Sequence, residues 1–172
     1  MKKTGGIMMK YFEEGDILLS DFDGVFLDSQ KRFLEVMKEE KALEKWMDFL
    51  NGIRWKEFLR DCDFVPGALE TFTELQELKI LKGFITAIHS PTEGKEKCVF
   101  LRELGFYVPI YYVLPEQQKC EVYIPNRKVV LLDDKEKNYE EWTAKQGKSV
   151  LYDPEGKSCG KKYVKSLYEL LK

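Results

Sequence analysis

The chain has 172 residues, with 28 Lys plus Arg against 30 Asp plus Glu and a formal net charge of −2. That length suits one domain with a substantial core, and the balance advertises no nucleic-acid surface. Four cysteines, Cys62, Cys98, Cys120 and Cys159, form no Cys-x-x-Cys pair, which argues against zinc and against a redox motif.

Nowhere do about 18 uncharged apolar residues run together, and the opening ten residues hold no apolar stretch of signal-peptide length. The expectation is a soluble, cytoplasmic protein with no membrane partner. Met8 and Met9 are alternative starts, and residues 1–15 are expected to be a loose tail.

Ile17-Leu18-Leu19 is a short apolar run that ends in Ser20-Asp21-Phe22-Asp23-Gly24. It reads as a buried strand whose C-terminal tip presents two carboxylates to a crevice, with Gly24 letting the chain curl away. Residues i and i+2 share a strand face, so Asp21 and Asp23 start on one side. Oxygen ligands gathered at such a tip can hold a hard divalent cation, although Asp and Gly also suit a plain turn.

Ser29 to Leu50 is rich in helix formers, with Phe33, Leu34, Met37, Leu43, Trp46, Met47 and Leu50 at helical spacing. Asn51-Gly52 stops it, and Ile53 to Arg60 can form a second short helix carrying Trp55, Phe58 and Leu59. Residues 29–65 are therefore expected to be a small helical cap, with Trp46 and Trp55 in its core, and residues 16–28 and 66–172 to be the main domain.

Pro66-Gly67 opens a helix over Ala68–Lys79, and Ile80 to Ile85 is a strand that ends in Thr86-Ala87. Ser90-Pro91-Thr92-Glu93 predicts a capping box, with Glu93 reaching back to the start of a helix that Gly105 ends. His89, the only histidine, falls in the loop before it and is expected at the surface or in a capping role. Ile110 to Leu114 is a third strand, followed by a loop and short helix that carry Lys119.

The turn at Pro125-Asn126 leads into Lys128–Leu132, an apolar strand that ends in Asp133-Asp134. Two adjacent carboxylates after a buried run are costly without ionic partners, which favours metal ligation. A helix over Lys137–Gln146 closed by Gly147, a fifth strand over Ser149–Tyr152 and an amphipathic helix over Lys161–Leu171 complete the chain. Asn138 reads as a helix N-cap.

Strands alternating with helices predict an α/β fold: a three-layer, Rossmann-like parallel sheet with right-handed crossovers, helices on both faces and the cap inserted after the first strand. The polar residues that interrupt the apolar strands, Asp21, Thr86 and Asp133, should then cluster at the C-terminal strand ends.

The stretch from Asp21 to Asp28 reads Asp-x-Asp-Gly-Val-x-x-Asp, followed in order by Thr86, Lys119 and Asp133-Asp134. This series, spanning residues 17–152, resembles the motifs of the haloacid dehalogenase (HAD) superfamily, whose members are mostly phosphatases. The resemblance implies that Asp21 attacks phosphorus to give an aspartyl-phosphate, and that Asp23 protonates the leaving oxygen and then activates water. It further implies that Thr86 and Lys119 bind phosphoryl oxygens. Mg²⁺ would be held by Asp21, the backbone carbonyl of Asp23 and Asp133, with Asp134 as a further ligand or a support behind them.

The cap's position, with Pro66-Gly67-Ala68-Leu69 and Thr86-Ala87, looks most like the 5'(3')-deoxyribonucleotidase branch and its phage and bacterial relatives. That implies a small phosphorylated substrate, a nucleoside (deoxy)monophosphate. Two alternatives stand beside it: a phosphatase of sugar phosphates or nucleic-acid ends, and a non-catalytic protein that binds phospholigands or a partner. Intact Asp21 and Asp23 weigh against the last.

Overall fold

The computed structural model describes residues 9–40 and 50–172. Its frame is a six-stranded sheet in the order β3-β2-β1-β4-β5-β6, with every pairing parallel. The strands are β1 (Ile17–Ser20), β2 (Leu81–Ala87), β3 (Ile110–Val113), β4 (Val129–Asp133), β5 (Lys148–Tyr152) and β6 (Tyr163–Val164). Helices α1 (Ser29–Glu40), α2 (Trp55–Asp61), α3 (Ala68–Glu77), α4 (Pro91–Glu103), α5 (Lys119–Val122) and α6 (Glu136–Ala144) lie between them.

Strand alternation sorts the apolar side chains into two layers. Leu18, Phe84, Val130, Leu132 and Val150 join the larger core with Phe72 and Leu75 of α3 and Leu101 of α4. Leu19, Ile85, Val129 and Leu131 join a second cluster with Cys120 of α5 and Trp142 of α6. Burial on both faces is why β4 reads as an unbroken apolar run rather than an alternating one. The three-layer α/β expectation holds.

Between β1 and Pro66, Phe33 of α1 meets Phe58 of α2 edge-on at 5.4 Å, and Trp55 packs on Phe58 at 5.5 Å. Trp55 is a buried core residue, as expected, but its cluster is continuous with the larger core of the sheet. Trp46 lies outside the described residues. Helix α2 is tied to α4 by Arg60–Glu103 at 3.2 Å.

Four local expectations need correction. The helix over Lys161–Leu171 is absent: Tyr163-Val164 instead pairs with Leu151 and Tyr152 as the edge strand β6. Only Leu167–Leu171 is helical, as a 3₁₀ turn opened by a Ser166/Glu169 capping box. The open edge of β5 offered unpaired backbone groups, and satisfying them outweighs helical propensity in this segment.

The chain is also docked from Met9 onward rather than loose to residue 15. Met9 and Phe12 are buried, and the Lys10 amide donates to the Lys172 carbonyl at 2.8 Å. At the end of α6 the left-handed residue is Gln146, not Gly147. Gly147 is needed for space, since a Cβ there would lie 2.3 Å from the Trp142 indole.

Finally, the Ser90 hydroxyl caps α4 by accepting from the Glu93 amide at 3.1 Å. Glu93 does not complete the box on Ser90, because its carboxylate accepts the His89 amide at 2.7 Å and faces Lys97 at 2.8 Å. The carboxylate still reaches back to the backbone, but one residue beyond the N-cap.

Candidate active site

The C-terminal ends of β1, β2 and β4 bring the predicted residues together. Asp21 follows β1, Thr86 lies near the end of β2 and Asp133 ends β4, so the parallel register places all three on one rim. Lys119 is the first residue of α5, fixed by a capping box in which the Gln118 amide donates to Glu121 at 2.8 Å. Its ammonium lies 2.9 Å from Asp21 Oδ1 and donates to Asp133 Oδ2 at 2.6 Å.

Asp133 is fully enclosed. Besides Lys119, it accepts from the Lys135 amide at 2.9 Å and from Asn138 Nδ2, which lies 3.0 Å from each carboxylate oxygen. Asn138 is therefore a clamp on Asp133 rather than the N-cap of α6. The cap position is held by Lys135, with no side-chain capping bond.

Asp134 is the contrasting neighbour. Its Oδ2 accepts from Gln30 at 3.1 Å, while its buried Oδ1 has no hydrogen-bond partner. Gly24 makes room for it: a Cβ at that position would meet Asp134 Oδ2 at 2.5 Å, and the backbone there has φ +80°. Two independent demands thus select glycine after Asp23.

Asp21, Asp133 and Asp134 each offer an oxygen, and these oxygens lie within 4.8 Å of one another. Burial pushes the Asp21 carboxyl up to about 7; Lys119 opposes this, while the carboxylates of Asp133, Asp23 and Asp134 add to it. Asp134 is pushed up to about 6 by burial and by Asp133. Burial would lower the Lys119 ammonium, but Asp21 and Asp133 outweigh it and hold it above the usual lysine range. A hard cation fits this place, because the donors are all oxygen, one of them is orphaned, and mutual repulsion is left for a positive charge to relieve.

Asp23 sits in a second network. It accepts from Ser29 Oγ at 2.7 Å, Thr86 Oγ1 at 3.0 Å and Lys97 Nζ at 2.7 Å. Burial would raise its carboxyl, yet Lys97, Ser29 and Thr86 together hold it below the usual carboxylate range. Thr86 is fully buried and engaged with Asp23. His89 is partly exposed and touches Glu93 through Nδ1 at 3.2 Å, in keeping with its surface expectation.

Lys97, Ser29 and Gln30 are contributors that the sequence did not single out as site residues, and Asn138 is one that it read first as a helix cap. For Lys97 the available signal was the i, i+4 pair Glu93/Lys97, which reads equally well as a solvated helix face. For Asn138 it was the spacing of five residues from Asp133, within the first turn of the next helix.

No protein-family model matches the chain, and no curated protein matches it. Solved structures do. A HAD hydrolase of family IA, variant 3, from Entamoeba histolytica is 13% identical, with 90% of this chain and 94% of that one covered at a TM-score of 0.58. A HAD-superfamily hydrolase from Ehrlichia chaffeensis is 13% identical, covering 89% and 92% at 0.54, and a protein described as a dehalogenase is 14% identical, covering 95% and 97% at 0.56. At such identities the likeness speaks for the backbone alone: the chain has the Rossmann-like α/β fold of HAD-superfamily hydrolases.

Proposed function

We propose that this chain is a Mg²⁺-dependent phosphomonoester hydrolase that works through an aspartyl-phosphate. The observation that carries the reading is the convergence of Asp21, Asp133 and Asp134, the first two on the Lys119 ammonium, with Asp23 held in its own donor network beside them. Asp21 is the nucleophile. Asp23 gives a proton to the departing oxygen and takes one from the attacking water.

An ammonium has three N–H donors. Lys119 spends two on Asp21 and Asp133, which leaves one for a phosphoryl oxygen. Thr86 adds its hydroxyl once substrate draws it from Asp23. Mg²⁺, when bound, supplies the positive charge that lets a carboxylate approach a dianionic phosphate. Asp21, Asp134 and the Asp23 carbonyl would hold it. Asp134 rather than Asp133 is the direct ligand on this reading, because both oxygens of Asp133 are already hydrogen-bonded while Asp134 keeps one free.

Residues 29–65 act as a cap, and the substrate is a small phosphate ester, a nucleoside (deoxy)monophosphate. A nucleic-acid end would call for unpaired basic residues near the site. Among the described residues, however, Arg32 pairs with Asp61, Arg54 with Glu57 and Arg60 with Glu103. No helix among them is long and apolar enough to cross a membrane.

Phosphate release from p-nitrophenyl phosphate, with and without Mg²⁺, tests the reaction. Wild type should turn over only with the metal, and Asp21→Asn should lose at least about 10³-fold. Turnover indifferent to Asp21 would sink the assignment. A panel of deoxynucleoside monophosphates against sugar phosphates then decides the substrate.

A further inference from the structure

Helix α4 buries Glu93, Gly94, Lys97 and Leu101. Residues 93, 97 and 101 form an i, i+4, i+8 stripe, the face that a sheet-packed helix ordinarily makes apolar. Two of its three positions carry charge here. Lys97 is 1% exposed, lies 5.4 Å from the Phe22 ring centroid and sits between two carboxylates, Glu93 at 2.8 Å and Asp23 at 2.7 Å.

Burying an ion pair in a core is seldom the most stable choice, since apolar residues of similar volume serve as well or better. The stripe therefore calls for a reason beyond packing. Direct substrate binding is a poor one. Lys97 Nζ already has Asp23 Oδ2, Glu93 Oε1, Thr86 Oγ1 at 3.1 Å and the Ala87 carbonyl at 3.0 Å around it. Four acceptors compete for three N–H donors, and none remains for a phosphate oxygen.

Each contact does fix something. Glu93 anchors the ammonium from the helix side, and is itself pinned by the His89 amide. The Ala87 carbonyl and Thr86 fix it against the tip of β2. What is left for the ammonium to hold is Asp23, the half-exposed member of the set at 30%.

We propose that Lys97 is a positioning residue for Asp23, presetting its carboxylate to activate water in the second step of the reaction. The inference rests on the phosphatase reading above. In that step an Asp23 oxygen takes a proton from water as the water oxygen bonds to phosphorus. The bond between phosphorus and the Asp21 oxygen breaks, its electron pair returns to the Asp21 carboxylate, and inorganic phosphate departs. Loss of Lys97 frees Asp23 to swing, so this step slows while attack by Asp21 proceeds.

The test is pre-steady-state release of p-nitrophenolate, a leaving group that needs no proton, by wild type, Lys97→Met and the double variant Lys97→Met/Glu93→Leu. The double variant removes the carboxylate that the single change strands in the core. In both variants kcat should fall about 100-fold or more. The first turnover should stay within about tenfold of wild type, giving a burst that approaches one equivalent per chain. Acid quench should trap the phosphorylated protein.

Equal losses in the burst and in the steady state would overturn the proposal and make Lys97 structural. A raised KM with kcat retained would overturn it in favour of a phosphate ligand. No turnover by wild type on any phosphate ester would bring down the phosphatase reading itself, an outcome distinct from either.

Discussion

The two ends of β1 carry two charge clusters built from similar residues to opposite effect. At the N-terminal end, Asp16 is buried beside Lys148 at 2.8 Å, with Glu13 2.9 Å from the same ammonium. Lys128 lies 3.7 Å from the other Asp16 oxygen, too far for a hydrogen bond. Two carboxylates face two ammoniums. Burial works to raise the Asp16 carboxyl, but the hydrogen bonds from Lys148 and the Glu13 amide, with the charge of the lysines, hold it below the usual range.

At the C-terminal end, five residues further along the chain, three carboxylates crowd together with Lys119 paired to two of them, and Asp21 is pushed up to about 7. The comparison separates a cluster that closes its own charge balance from one left open. An open balance in a buried place costs stability and is retained where a ligand completes it.

The largest test of that contrast is Lys119→Met. It leaves buried carboxylates with no counter-charge and should cost about 3–5 kcal/mol in urea unfolding without divalent cation, with part recovered when Mg²⁺ is added. Unchanged stability would mean that the open cluster balances itself by other means.

Asp16→Asn should cost less, about 1–3 kcal/mol at pH 7, because Lys148 keeps some access to water. The sign of its pH dependence follows from the depressed carboxyl. Asp16 adds stability above its unfolded pKa of about 4, and that stability is lost as pH falls through the lower folded value. The variant should lack this acid-side loss when thermal melts are compared from pH 2 to 6.

The smallest effect should have the opposite sign. Asp134→Asn removes one of the crowded carboxylates and should stabilise the metal-free protein by about 1 kcal/mol, since relief of like-charge repulsion is modest. It should also remove the rise in melting temperature that Mg²⁺ gives the wild type. A variant less stable than wild type, or one still stabilised by Mg²⁺, would assign Asp134 a structural part and return the metal to Asp133.

Much of the rim was legible in residue order. Each strand tip is announced locally, by an apolar run that stops at Asp21, Thr86 or Asp133, and the sheet only had to be parallel for them to meet. Less legible was what holds them. Asn138 looked like a helix cap because Asn favours that place, and its two contacts with Asp133 depend on how α6 leaves β4. Lys161–Leu171 carried a helical pattern, yet an open edge on β5 drew Tyr163-Val164 into the sheet.

The sequence by itself determined the class of fold and the set of strand-tip carboxylates, since periodicity, glycine placement and abrupt polarity changes act over a few residues. Only the tertiary structure decided which charges are buried and with whom. It made Lys97, which the sequence did not single out, the partner of Asp23, took up both Asp133 oxygens and left one of Asp134 free. The reason is physical: a charged side chain's burial is set by what packs opposite it, and that partner comes from a distant part of the chain.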